Sequence, residues 1–151
     1  MMNCELSNPI EQLELYGVYA SSTQGKSMRP LFKTGRDAVV LKKVDKEIKK
    51  YDVVLYQDRS GKYILHRVIG KKDGVLIIRG DNTFRREYVK EESILAYLTS
   101  FNRKGKHHDV GDFGYKFYSR VWNFLYPARF LFYKFKMLIK KIFRIKKRTQ
   151  P

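Results

Sequence analysis

Five short runs of β-branched and apolar residues, cut apart by turn signals, constrain this chain most. Residues 37–41, 53–56, 63–69, 75–78 and 93–101 each read as a strand. Gln57-Asp58-Arg59-Ser60-Gly61 separates two of them as a hairpin turn, and Lys71-Lys72-Asp73-Gly74 separates the next two with Asp-Gly turn chemistry. Residues 44–50 make a charged connection. Residues 18–22 read as one more short strand. This spacing of strands and turns predicts a mainly β, compact and mostly antiparallel domain. Ahead of it, Ser7-Asn8-Pro9 reads as a helix start and Gly17 as a stop, with Ile10, Leu13 and Leu15 as its apolar face. A helix-turn-helix DNA reader does not fit in about sixteen residues, so a DNA-reading repressor is not expected.

Three features inside this β pattern carry chemistry. Ser27 stands in the loop Gly25-Lys26-Ser27-Met28-Arg29-Pro30, His66 in an apolar strand, and Asp81 after Gly80 in Arg79-Gly80-Asp81-Asn82. A serine hydroxyl is a weak nucleophile until a base takes its proton. A histidine base works best when a carboxylate fixes its tautomer and stabilises its cation. Gly25 opens backbone conformations closed to other residues, and N–H groups of this loop are candidates for an oxyanion hole. Met28 is expected to tuck under the loop and Pro30 to stiffen its exit. On the strand, His66 shares a face with Ile64 and Val68, while Leu65 and Arg67 take the other. Arg67 reads as a partner of Asp81, a guide for substrate or a surface charge. Asp81 is equally a good turn residue bonding its own backbone.

The residues around these three form an ordered pattern: Gly25-x-Ser27-Met28-x-Pro30, Gly35-Arg36-Asp37-Ala38-Val39-Val40, Tyr51-Asp52-Val53-Val54-Leu55-Tyr56, His66-Arg67-Val68-Ile69-Gly70 and Gly80-Asp81-Asn82. In that order they resemble the boxes of the signal peptidase I family, whose catalytic fold is shared by LexA-type self-cleaving repressors. The resemblance covers residues 18–104. It implies Ser27 as nucleophile and His66 as general base, as in the archaeal and endoplasmic-reticulum signal peptidases, which are similar in using histidine where others use lysine. It implies Asp81 or Glu87 as third member. Asp81 sits in the Gly-Asp-Asn box, and Glu87 stands where the reticulum-type enzymes have a second aspartate. It also implies Gly25 and Met28 at the substrate and oxyanion side of the serine. Two positions depart from the family pattern. Tyr51 replaces the usual glycine before Asp52, and Arg36 is inserted in the Gly35 box.

Charge divides the 151 residues unevenly. The net charge is +17, no acidic residue follows Asp112, and eleven Lys or Arg do. Aromatics crowd residues 113–126, and Leu131, Phe135, Leu138, Ile142 and Ile145 then recur at spacings of four, three, four and three, one helical face. Two helices broken near Pro127 are expected. Arg129, Lys134 and Lys136 disfavour a membrane span. A helix in the interface fits better, with Trp122, Lys134, Lys140, Lys141, Arg144 and Lys147 as its membrane-binding residues on an anionic surface. The rival is a helix packed on its own domain. Nucleic acid is the third partner class, disfavoured because the aromatic stripe resembles burial more than stacking.

The single cysteine, Cys4, excludes an internal disulfide and a cysteine-rich zinc site, and no cofactor is expected. His107 and His108 read as a solvated polar loop. The chain opens with neither a basic n-region nor an apolar h-region, so the expectation is no signal peptide and a peripheral position on the cytoplasmic face. The predicted organisation is an N-terminal helix (1–17), the β-domain (18–110) and a basic aromatic helical tail (111–151). The predicted function is a serine endopeptidase resembling signal peptidase I, cleaving a leader, signal-type or small precursor peptide at a membrane surface. The alternative is a non-catalytic peptide- or lipid-binding module on the same fold.

Overall fold

A computed structural model of the chain describes residues 8–148, with side chains described through residue 143. Cys4 and the side chains of Arg144 and Lys147 lie outside the described residues. Helix α1 spans Pro9–Tyr16. It starts where the Asn8 side chain accepts the Ile10 N–H at 3.1 Å, and it ends at Gly17, whose φ of +69° lets its N–H return to the Leu13 carbonyl. Leu13 is buried, but Leu15 is 68% exposed. Two residues on, a side chain points to the far side of a helix, so these leucines do not share a face.

Eight strands follow: β1 (Val18–Ser22), β2 (Ala38–Lys43), β3 (Val53–Gln57), β4 (Tyr63–Lys72), β5 (Val75–Arg79), β6 (Glu87–Lys90), β7 (Ile94–Arg103) and β8 (Lys106–Asp109). They form one antiparallel sheet in the order β1-β2-β7-β3-β4-β5-β6, with β8 paired to the end of β7. The register shifts at Val40/Leu41, Leu55/Tyr56 and Val68/Gly70. Such irregularities bend a strand and increase its twist, and the sheet curls into a half-barrel. The strands β6 and β8 were not expected from the sequence. The first is a short edge whose residues alternate half-buried and exposed. The second is polar throughout and is folded back by Lys104 and Gly105, both at positive φ. His107 and His108 therefore belong to a strand, and the His108 ring stacks on Phe101.

The curl separates two apolar clusters. One gathers Leu13 of α1, Leu41, Leu55, Leu98 and Phe101 of the sheet, and Met28, Leu31 and Phe32 of the serine loop. The other gathers Ile48, Val54, Tyr56, Val68, Leu76 and Ile78. Each fully buried side chain of this size contributes about 1.5–3 kcal/mol, so the loop carrying Ser27 is held by three such anchors.

Helix α2 (Phe113–Phe124) and helix α3 (Tyr126–Arg148) meet at Leu125, with Pro127 in the first turn of α3, where a missing N–H is harmless. Docking of α2 depends on two buried arginines that face each other across β4 and β5. Arg67 donates to Ser119 at 2.9 Å and Tyr115 at 3.2 Å. Arg79 donates to Asn123 at 3.1 Å and lies 3.5 Å from the Tyr126 ring centre. Phe84 then packs against Tyr126, Phe130 and Tyr133 of α3. From Tyr115 to Tyr133 the basic aromatic tail thus contacts the β-domain. No described helix is long and apolar enough to cross a membrane.

Candidate active site

The serine loop is tied at both ends. Gly25 has φ +79°, a conformation that favours glycine, and its carbonyl accepts the Thr34 hydroxyl. At the far end buried Asp37 accepts the Lys33 N–H at 2.8 Å and the Lys104 N–H at 3.2 Å, while its carbonyl accepts the Thr23 N–H at 2.9 Å. Arg36 forms two bonds to Asp37, both at 2.7 Å. That guanidinium, helped by the two backbone N–H groups, holds the Asp37 carboxyl down at about 2. The Met28 side chain is buried beneath the loop and leaves Ser27 half-exposed above it.

Gly80 brings the serine and the histidine together. A Cβ at this position would lie 2.7 Å from the Ser27 carbonyl oxygen and 3.0 Å from both Ser27 Cβ and His66 Nε2. Ser27 Cβ and His66 Nε2 therefore lie no further apart than twice that last distance. Only a residue without a side chain leaves this space between them. Asn82 completes the clamp: its N–H donates to the Ser27 carbonyl at 2.6 Å and its side-chain amide to the Lys26 carbonyl at 3.2 Å. Among the described residues, no hydrogen bond joins Ser27 Oγ to His66.

The other ring nitrogen of His66 meets an acid. Nδ1 is 3.7 Å from Glu87 Oε1 and 3.4 Å from the Tyr56 hydroxyl, which itself donates to Glu87 Oε2. With Nδ1 protonated and donating toward this pair, Nε2 is the free acceptor on the serine side. Burial pulls the His66 pKa below its ordinary value, while the charges of Glu87 and Asp81 push back. Burial, followed by the bond to Glu87, raises the Tyr56 pKa, so the hydroxyl stays protonated as a donor.

Asp81 is placed differently. It forms two bonds of 2.8 Å to Arg67, which is fully buried, and accepts the Tyr118 hydroxyl at 3.0 Å. Its backbone carbonyl takes the Trp122 indole N–H at 2.8 Å and Arg129 at 2.5 Å. Burial lowers the Arg67 pKa, and the Asp81 carboxylate more than reverses this, leaving it raised. The Asp81 oxygens are thus committed to Arg67 and Tyr118, and Glu87 is the carboxylate beside His66 Nδ1. Arg67 accordingly does not guide substrate and is not a surface charge.

Beside Ser27 a cleft of about 710 Å³ opens, lined on its apolar side by Tyr19, Phe32, Leu41, Leu55 and Leu65, with His66 at its end. Gly25 and Met28 both line it. The expected membrane residues divide. Trp122 packs on the domain through Asp81 and carries Arg129 3.7 Å from its ring centre, whereas Lys134, Lys140 and Lys141 are exposed on α3. Aromatic crowding in the sequence resembled a lipid stripe because α2 docks through aromatic and polar side chains together. Among the described residues no group of three His, Cys, Asp or Glu could hold a metal ion.

Sequence reasoning missed Tyr56, the exclusion of any side chain at Gly80, and Asn82 as a clamp. The β3–β4 register sets Val54 opposite His66, which puts Tyr56 diagonally next to it on the same face. That register, had it been fixed, was the signal for Tyr56. The chain matches no protein-family model and no curated protein.

Proposed function

We propose that this chain is a serine endopeptidase of the signal peptidase I and LexA catalytic type, acting on an extended leader-type, signal-type or small precursor peptide. The observation that carries the reading is the meeting of Ser27 and His66 Nε2 over the side-chain-free face of Gly80. In the proposed reaction Ser27 Oγ attacks the scissile carbonyl as its proton passes to His66 Nε2. The tetrahedral intermediate then collapses to an acyl-enzyme, and His66 returns the proton to the departing amine. A water, deprotonated by His66, attacks the ester and frees the acid and Ser27. Glu87 and the Tyr56 hydroxyl steady the imidazolium from the Nδ1 side. Among the described residues, neither the Ser27 nor the Met28 N–H has an intramolecular acceptor, which leaves both for the oxyanion. Catalytic hydrogen bonds are often formed only with substrate bound, so the unformed Ser27–His66 bond fits a resting enzyme.

That same unformed bond favours one alternative, a peptide-binding module that uses the apolar cleft without cleaving. Mass spectrometry of peptide N-termini separates the two, comparing cells that make the native chain, Ser27→Ala or His66→Ala at equal abundance. Termini that vanish with both substitutions support the peptidase. Identical profiles from all three folded proteins leave the binding module.

A further inference from the structure

Helix α3 uses one face on the domain and leaves the opposite face unpartnered. Tyr126, Arg129, Phe130 and Tyr133 are the residues that meet Phe84 and Asp81. At about 100° per residue, Leu131, Phe135, Leu138 and Ile142 fall on the far side of the helix from these. Each of those four is more than half exposed, and every residue from 131 to 143 is exposed. Phe132, Ile139 and Phe143 widen the same apolar stripe. Lys136 borders it on one side, and Lys134 and Lys141 on the other.

We propose that this outward face of α3 docks in the plane of an anionic lipid surface, apolar stripe inward and flanking lysines at the headgroups. Charge complementarity selects this occupant. A basic border around an apolar stripe matches a layer that is apolar below and anionic at its rim. A second copy of the chain would set the same lysines against each other, with no acidic residue after Asp112 to pair them. The helix is not apolar enough to cross. Its first two turns are held to the connection between β5 and β6 through Phe84 and Asp81, which leaves the opposite face free. The docking is independent of the peptidase reading.

The test is flotation of the full chain with vesicles of phosphatidylcholine alone or with about one part in three phosphatidylglycerol. The chain is expected to float with the anionic vesicles and to be released by salt. Phe135→Glu with Leu138→Glu is expected to lower binding by at least about tenfold, and Lys134→Gln and Lys141→Gln by roughly fivefold each. These side chains are exposed, so melting temperature is expected to stay unchanged. Lys72→Gln, an exposed lysine at the end of β4, is expected to have no effect, and Ser27→Ala to float as the native chain does. Equal binding to neutral vesicles, or equal loss with Lys72→Gln, would overturn the proposal. So would a native chain that ignores vesicles and self-associates through Phe135 and Leu138, or that binds an acidic protein there instead.

Discussion

Neighbouring residues on β4 meet opposite fates. Arg67 is fully enclosed, with its charge answered by both oxygens of Asp81 and its Nη1 by Tyr115 and Ser119 of α2 and by the Tyr51 carbonyl. His66 is also buried, but its acid stands 3.7 Å away, shares a tyrosine hydroxyl and is about one-third exposed. A closed charge pair fixes structure because neither member has capacity left over. A loosely paired histidine keeps one nitrogen free and a charge that can change. The difference separates the two candidate acids: Asp81 is spent on Arg67 and Tyr118, and in the proposed reaction Glu87 is the acid that serves His66.

The largest test of that division is a pair of near-isosteric substitutions. Asp81→Asn strands the Arg67 guanidinium in the interior and is expected to cost about 3–5 kcal/mol in urea unfolding. Glu87→Gln is expected to stay within about 1 kcal/mol of the native stability, because its partner is a histidine that is already held neutral by burial. Equal costs for the two would erase the distinction. Gly80→Ala comes next. Its Cβ would meet the Ser27 carbonyl at 2.7 Å, a backbone atom that cannot swing aside. A stability loss of about 1–3 kcal/mol is expected, with peptide cleavage falling about a hundredfold as Ser27 is pushed from His66. A Gly80→Ala protein that cleaves normally would mean that the serine loop is not held as described.

The third test reads pH. Burial lowers the His66 pKa and Glu87 partly restores it. The base acts as neutral imidazole, so cleavage rises with pH through this pKa, and the acidic limb is expected below the ordinary value of 6.5. Glu87→Gln removes the restoring charge and moves the limb to still lower pH, with kcat/KM down about tenfold as the imidazolium loses its counter-charge. Movement of the limb to higher pH would show that Glu87 does not act on His66.

Much of this was legible in the residues and some was not, for physical reasons. Strand positions followed from short runs of β-branched and apolar residues and from turn chemistry, since both are local properties. Ser27 and His66 stood out because their residue types suit one reaction. The choice between Asp81 and Glu87 was not legible, because it depends on which acid Arg67 captures, and Arg67 is enclosed only once α2 folds over β4 and β5. The bond from Trp122 to the Asp81 carbonyl was not legible for the same reason. An aromatic helix face that docks through Asp81 and the sheet arginines has the composition of one that meets lipid. The strand β8 escaped notice because its polar residues carry no periodic signal and only pairing with β7 makes them a strand.

The smallest test concerns a tyrosine in a backbone conformation that favours glycine. Tyr51 has φ +79°, in the left-handed region. Its N–H donates to the Val68 carbonyl at 2.8 Å and its carbonyl accepts Arg67 at 3.0 Å, so β4 and the buried pair hold the backbone there. A non-glycine residue in that region costs roughly 1–3 kcal/mol. Against this, glycine loses about 1 kcal/mol more chain entropy on folding. Its ring also meets Lys50 and Arg120, with the cations 5.2 and 5.9 Å from its centre. At an exposed site these contacts are worth about 0.5–1 kcal/mol. Tyr51→Gly is therefore expected to raise stability by at most about 1 kcal/mol, and Tyr51→Ala to lower it, since alanine keeps the strain and loses the ring. If both substitutions destabilise equally, the ring contacts outweigh the backbone conformation, and tyrosine is held at this turn by α2 rather than tolerated by it.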